Sequence, residues 1–220
     1  MRALLCTAPL GCVIHVEDYP MSLELIFRIA FWILFGGMIV MQVYFALQVR
    51  QAGERVSADR EAIQREGLWY AVVRAFGSLA LIAFLVLYAI SPSWMNALFV
   101  PIPVWLRYTG IVLGVGSFIL YAWSQASLGK GWSPHLQMRE EHGLITTGPY
   151  ARIRHPLYLA LLGFLTAIAL TTSNWFFIAL LIVSIVVLAL RIPKEEQMMV
   201  EEFGEEYEQY IERTGRFLPK

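Results

Sequence analysis

The stretch GPYARIRHPLYLALLGF, residues 148–164, sets Arg152, Arg154 and His155 directly ahead of a long apolar run, with only Pro156 between. A charge at the edge of an apolar phase costs desolvation free energy unless it faces water, lipid phosphate or a bound partner. Three more segments carry polar chemistry: SLGKGWSPHLQ at 127–137, EHGLITTGPY at 141–150 and RIPKEE at 191–196, the last followed by FGEEYEQY. His135 and His142 lack the three- or four-residue spacing that pairs metal ligands on a helix, so no metal site is expected. Cys6 and Cys12 both lie near the start, which leaves the body without a disulfide or a thiolate site.

The elements that must hold these groups are membrane helices. Of 220 residues, 58% are hydrophobic and only 15% charged, far from the near-quarter charged content of soluble domains. The formal net charge is zero, so nothing argues for nucleic-acid binding, and the Lys and Arg residues matter by their position. Apolar runs long enough to span a hydrocarbon core of ~30 Å cover residues 23–49, 68–90 and 104–123. The first carries Glu24 and Arg28 near its outer end, the second holds Arg74 where it can snorkel, and the third opens with Arg107. Residues 157–190 are uncharged, with Thr171, Thr172, Ser173 and Asn174 as a polar break. We therefore expect an all-α integral membrane protein of about five transmembrane helices, the last two a tight hairpin. The expected organisation is a tail at 1–22, which includes a second possible start at Met21, two helices with their loops at 23–103, and a core at 104–220.

Positive charge fixes the expected orientation, because Lys and Arg accumulate on the cytoplasmic side. Arg50, Arg55, Arg60 and Arg65 follow the first span; Lys130, Arg139, Arg152 and Arg154 follow the third; Lys194, Arg213, Arg216 and Lys220 lie in the tail. The opposite loops carry neither residue. The tail reads as a helix continuing out of the fifth span, a break at Gly204, and a short amphipathic helix. Arg191 and Glu195 share a face if that helix runs on through Pro193. On their own, Glu195 and Glu196 read equally well as a solvated face like Glu201 and Glu202. Gly110, Gly114 and Gly116 fit a small-residue helix contact at least as well as a cofactor contact.

In this order, His-x-Leu, Gly-Pro-Tyr, Arg-His-Pro-x-Tyr and Glu-Glu resemble the isoprenylcysteine carboxyl methyltransferase and phospholipid methyltransferase superfamily of integral membrane enzymes. The resemblance runs from about residue 110 to 219; the first two spans match only in hydropathy. It implies a cytoplasmic pocket for S-adenosylmethionine. Its contacts would fall on Gln137, His142, Gly143, Leu144, Ile145, Tyr150, His155, Pro156, Leu157, Tyr158 and Glu195, with Arg191 binding the acceptor. Tyr150, Leu144 and Tyr158 would wall the adenine, Glu195 would answer the ammonium or the ribose hydroxyls, and Arg154 would meet the carboxylate or hold lipid phosphate.

The acceptor implied is a membrane-embedded or lipid-like molecule, a carboxylate of isoprenylcysteine type or a phospholipid or amine nitrogen. A nicotinamide-dependent enzyme of the sterol reductase type and a non-enzymatic membrane protein are the competing classes. The charge pattern makes one prediction by itself: single cysteines placed near Gln137 and in the 50–65 loop should resist membrane-impermeant maleimide in intact cells and react after permeabilisation. Labelling from outside would reverse the topology.

Overall fold

The computed structural model describes residues 21–51, 68–90, 93–128 and 143–220. Five long helices follow the apolar runs: α1 (Met21–Gln51), α2 (Leu68–Ile90), α3 (Val104–Leu128), α4 (Pro156–Thr172) and α5 (Trp175–Phe203). A short α6 (Glu205–Arg213) ends the helical part, and Ser93–Leu98 and Gly148–Ala151 form single 3-10 turns. Among the described residues there is no strand, only isolated bridges between Phe99 and Asn174 and between Ile153 and Gly215. Three helices, α1, α3 and α5, are long and apolar enough to cross a membrane, and Phe76–Ile90 and Pro156–Thr172 are shorter apolar helices. The chain is thus an all-helical integral membrane protein.

The hairpin turn is tight because its residues stop one helix and start the next. Ser173 adopts a left-handed φ of 50° and donates its N–H to Ala169, an αL cap of the kind that ends helices. Asn174 then accepts the Phe176 N–H at 2.9 Å, capping α5. The two halves are unequal. Helix α4 has 17 residues, a rise of roughly 25 Å at 1.5 Å per residue, whereas α5 has 29 and carries Pro193 inside it. Pro193 removes one N–H from the ladder without ending the helix, so the turn bearing Arg191, Glu195 and Glu196 remains continuous with the membrane span.

Helix α4 packs most intimately on α3. A Cβ on Gly110 would sit 2.8 Å from Thr171 Oγ1 and 2.9 Å from the Ala167 carbonyl, so only glycine lets the two backbones meet. Gly114 abuts Leu34 and Ala167, while Gly116 has open space around it, which explains the first two by packing. Around this contact lies an apolar core of Phe31, Leu34, Phe84, Tyr88, Phe164, Ile168 and Phe177. Phe84 stacks on Phe176 at 3.6 Å and 5°, joining α2 to the start of α5.

Arg107, read in the sequence only as the opening of the third span, is fully buried. Its Nη1 donates to Glu24 Oε2 at 2.8 Å and its Nε to the Thr171 carbonyl at 3.1 Å, with the guanidinium 4.0 Å over the Phe27 ring. One side chain therefore joins α1, α3 and the hairpin turn. Breaking a buried pair by removing one partner costs about 3–5 kcal/mol, and the partial exposure of Glu24 puts this pair at the lower end. Arg107→Ala should lower the thermal midpoint in detergent markedly, and Arg107→Met combined with Glu24→Gln should lower it less. A double variant as unstable as the single one would show that packing, not charge, is the cause.

Candidate functional site

The loop entering α4 is shaped by the Gly-Pro-Tyr and Arg-His-Pro segments. Gly148 has φ +59°, and a Cβ there would lie 2.2 Å from Ser127 Oγ, so only glycine docks this turn against the end of α3. Tyr150 is buried, and its carbonyl accepts the Tyr210 hydroxyl at 2.7 Å. Pro156 occupies the first turn of α4, where its missing N–H costs nothing. The C-terminal strap lies alongside: Gly215 N–H donates to Arg152 O at 3.2 Å, Arg154 N–H to Gly215 O at 2.8 Å and His155 N–H to Arg216 O at 3.1 Å.

The answer to the three basic residues lies here. Arg154 Nε donates to Glu196 Oε1 at 3.0 Å, and its Nη1 reaches the carbonyls of Ile211 and Thr214. His155 Nε2 lies 3.3 Å from the same Glu196 oxygen. Arg216 closes the group from the strap, its Nη2 2.5 Å from Glu196 Oε2 and its Nε 3.0 Å from the same atom. Arg152, by contrast, is exposed. One expectation is corrected, and one open alternative is decided. Arg154 is held by a carboxylate and tail carbonyls rather than turned toward a ligand carboxylate or lipid phosphate. Glu196 is buried, not solvated like Glu201 and Glu202, because it sits one turn beyond Ile192 and two beyond Leu188 on the buried stripe of α5.

The adjacent residue faces a different group. Tyr158 donates its hydroxyl to Glu195 Oε2 at 2.5 Å and accepts from Arg191 Nε at 3.1 Å. Arg191 Nε stands 3.9 Å from the same Glu195 oxygen, the one-turn pair expected from the sequence. The His155 ring lies parallel to Tyr158 at 5.4 Å, 11° off coplanar. Burial holds the Tyr150 phenol well above the usual tyrosine range, and the nearby Glu195 charge adds to this. The His155 imidazole is pushed below its ordinary value by burial, against the opposing pull of Glu195 and Glu196 and with the Arg154 charge reinforcing the shift. The site therefore combines an imidazole whose protonation burial opposes with the charged side chains of Arg191, Glu195, Arg154, Glu196 and Arg216.

Of the residues singled out in the sequence, Tyr150, His155, Tyr158, Arg191 and Glu195 therefore form one neighbourhood. Leu157 packs against the apolar core. Gly143 is exposed, and Leu144 and Ile145 are half-buried on the way into the Gly148 turn. Gln137 and His142 lie outside the described residues. Glu196, Arg216 and Tyr210 were missed as site-building residues. The sequence signal for Glu196 was the i, i+4 stripe of Leu188 and Ile192, which it continues. Among the described residues no group of three or more potential ligands could hold a metal ion.

Fold and site together define an all-helical membrane protein with a polar cluster where a helical hairpin meets its C-terminal strap. Residues 110–201 match the model of the isoprenylcysteine carboxyl methyltransferase family. The cobalt-zinc-cadmium resistance protein CzcN of Cupriavidus metallidurans is 34% identical over 103 residues, 44% of this chain and 45% of the relative. A probable protein-S-isoprenylcysteine O-methyltransferase of Oryza sativa subsp. indica is 26% identical over 127 residues, 52% of this chain and 61% of the relative. The chain spans about half the length of the curated relatives it matches. A solved structure of the eukaryotic intramembrane Ras methyltransferase ICMT shares the fold, with TM-score 0.57 and 20% identity over 86% of this chain and 67% of that one.

The depressed His155 value makes a prediction about stability. The imidazole is harder to protonate in the folded state, where burial and Arg154 oppose the charge, than in the unfolded chain. The unfolded state thus binds more protons, so stability is lost as pH falls below the unfolded value of about 6.5. The thermal midpoint should fall between pH 8 and pH 5.5, and His155→Gln should flatten that slope. An equal slope in both proteins would move the titration elsewhere.

Proposed function

We propose that this chain is a methyltransferase that takes a methyl group from S-adenosylmethionine and delivers it to a lipid-like acceptor in the bilayer, a carboxylate of isoprenylcysteine type. One observation carries the reading. The Arg-His-Pro-Leu-Tyr segment and the Arg191 to Glu196 turn, 33 to 37 residues apart, meet so that Tyr158, Arg191 and Glu195 form one hydrogen-bonded group beside Tyr150 and His155. The names of the relatives and the family model support the same class of chemistry.

The donor set fits the cofactor. Glu195 Oε2 is held by Tyr158, while Oε1 takes no hydrogen bond among the described residues and would answer an ammonium or ribose hydroxyls. Tyr150, Tyr158 and the His155 ring, with Leu144, would wall a flat heterocycle; Gly143, Ile145, Pro156 and Leu157 shape the approach, and Gln137 and His142 would complete it. When bound, S-adenosylmethionine supplies an electrophilic methyl group on a sulfonium centre. The protein's own work is then to align the acceptor and exclude water, the usual source of rate in a displacement of this kind.

Arg191 would orient the acceptor carboxylate. Its guanidinium is tethered through Nε to Tyr158, and it follows the exposed apolar residues Val186 and Leu190 of α5. A carboxylate is already ionised at neutral pH, and Glu195, committed to Tyr158 and the cofactor, is not needed as a base. The Lys and Arg pattern of the loops supports a site open to the cytoplasm.

Titrating purified protein with S-adenosylmethionine and with NADPH tests the class: binding of the first supports the proposal, binding of NADPH alone replaces it with a reductase, and binding of neither with a non-enzymatic role. Arg191→Ala should lose turnover of a farnesylcysteine analogue by about 100-fold while still binding the cofactor, a charge-assisted contact being worth roughly 1.5–3 kcal/mol. Arg191→Lys should recover only part, because a point charge lacks the planar fork. Equal losses of binding and turnover would return Arg191 to a purely structural pairing with Glu195.

A further inference from the structure

We infer that Glu196 is a positioning residue of the cofactor pocket: gripped by Arg154 and by Arg216 of the C-terminal strap, it holds His155 as the Nε2–H tautomer and so leaves Nδ1 as the acceptor. This rests on the proposed cofactor site, to which His155 belongs.

The geometry carries the inference. Glu196 Oε1 receives Arg154 Nε at 3.0 Å, Arg216 Nε at 3.1 Å and faces His155 Nε2 at 3.3 Å, while Oε2 receives Arg216 Nε and Nη2 at 3.0 and 2.5 Å. An ionised carboxylate offers acceptors only, so a neutral imidazole at this distance must present its N–H there. The charged and titratable groups facing the ring are Glu195, Glu196 and Arg154, with Tyr158 stacked on one face and Phe217 of the strap 6.3 Å away at 50°. Burial, with the Arg154 charge, disfavours the protonated ring against the opposing pull of Glu195 and Glu196. The carboxylate is itself held from two segments, Oε1 by the loop's Arg154 and the strap's Arg216, and Oε2 by Arg216. The strap is tied to this group at three successive residues: the Thr214 carbonyl accepts Arg154 Nη1, the Gly215 carbonyl accepts the Arg154 N–H, and the Arg216 fork ends on Glu196. The arrangement is that of an orienting carboxylate behind an imidazole, which sets tautomer and ring plane without touching the ligand itself.

Two readouts separate this role from mere structure. In protein labelled with 15N-histidine, the His155 resonances, assigned by their loss in His155→Gln, should show the neutral Nε2–H pattern at pH 7.5 without any ligand. Arg216→Ala, a substitution at a half-exposed side chain, should keep the thermal midpoint within a few degrees, broaden or shift those resonances, and weaken S-adenosylmethionine binding by about 5- to 20-fold. Arg216→Lys should restore part of the affinity. An Nδ1–H tautomer or an imidazolium in the wild-type protein overturns the inference, as does an Arg216→Ala protein with unchanged His155 resonances. Should the wild-type protein bind no S-adenosylmethionine, the cofactor proposal fails, and the tautomer measurement still decides what Glu196 does.

Discussion

A buried carboxylate shared by two guanidiniums and an imidazole is the interaction on which the strap end of this molecule depends. Glu196 would be costly to bury alone, since an ion removed from water loses several kcal/mol of hydration that neighbours must replace. Its neighbours do so through five contacts from Arg154, His155 and Arg216. The loop entering α4, the Arg191 to Glu196 turn of α5 and the last residues of the chain therefore cannot be positioned independently. Any ligand that reads His155, Tyr158 or Glu195 reads a surface whose shape that carboxylate sets.

The other end follows the same logic with the signs exchanged. There the buried group is a cation, Arg107, and a carboxylate on α1, a turn carbonyl and an aromatic face receive it. Helix α4 runs between the two clusters, too short to reach from one bilayer surface to the other with polar residues to spare. A short apolar helix slides and tilts easily if only dispersion forces hold it. Polar fastenings at both ends, together with the glycine contact at Gly110, leave α4 one register against α3. That rigidity suits a helix whose first turn carries His155 and Tyr158.

Helix positions were legible in the sequence because a membrane span announces itself by length and by lack of charge. The hairpin break at residues 171–174 and the stop at Gly204 were legible for local reasons, an αL cap followed by an Asn N-cap in the first case and glycine in the second. Pairings were less so. The Arg191 to Glu195 pair could be read because it spans one helical turn. Arg107 with Glu24, and Arg154 with Glu196, join residues 83 and 42 positions apart, and no local pattern records which distant carboxylate a buried arginine will meet. The motif residues that came together, Tyr150, His155, Tyr158, Arg191 and Glu195, were visible through family resemblance rather than through spacing.

The different surroundings of the two neighbouring glutamates have a simple geometric origin. Successive residues on an α-helix point about 100° apart, so Glu195 and Glu196 cannot share an environment once α5 has neighbours on two sides. The stripe of Leu188 and Ile192 turns Glu196 toward the strap, and that assignment aims Glu195 at Tyr158 and Arg191. Had the helix ended at Pro193, the two would have been free to rotate separately and the site would have lost its reference direction. Continuation of α5 through the proline, at the loss of one backbone hydrogen bond, is what converts a structural carboxylate on one face into a fixed bearing for Glu195 on the next.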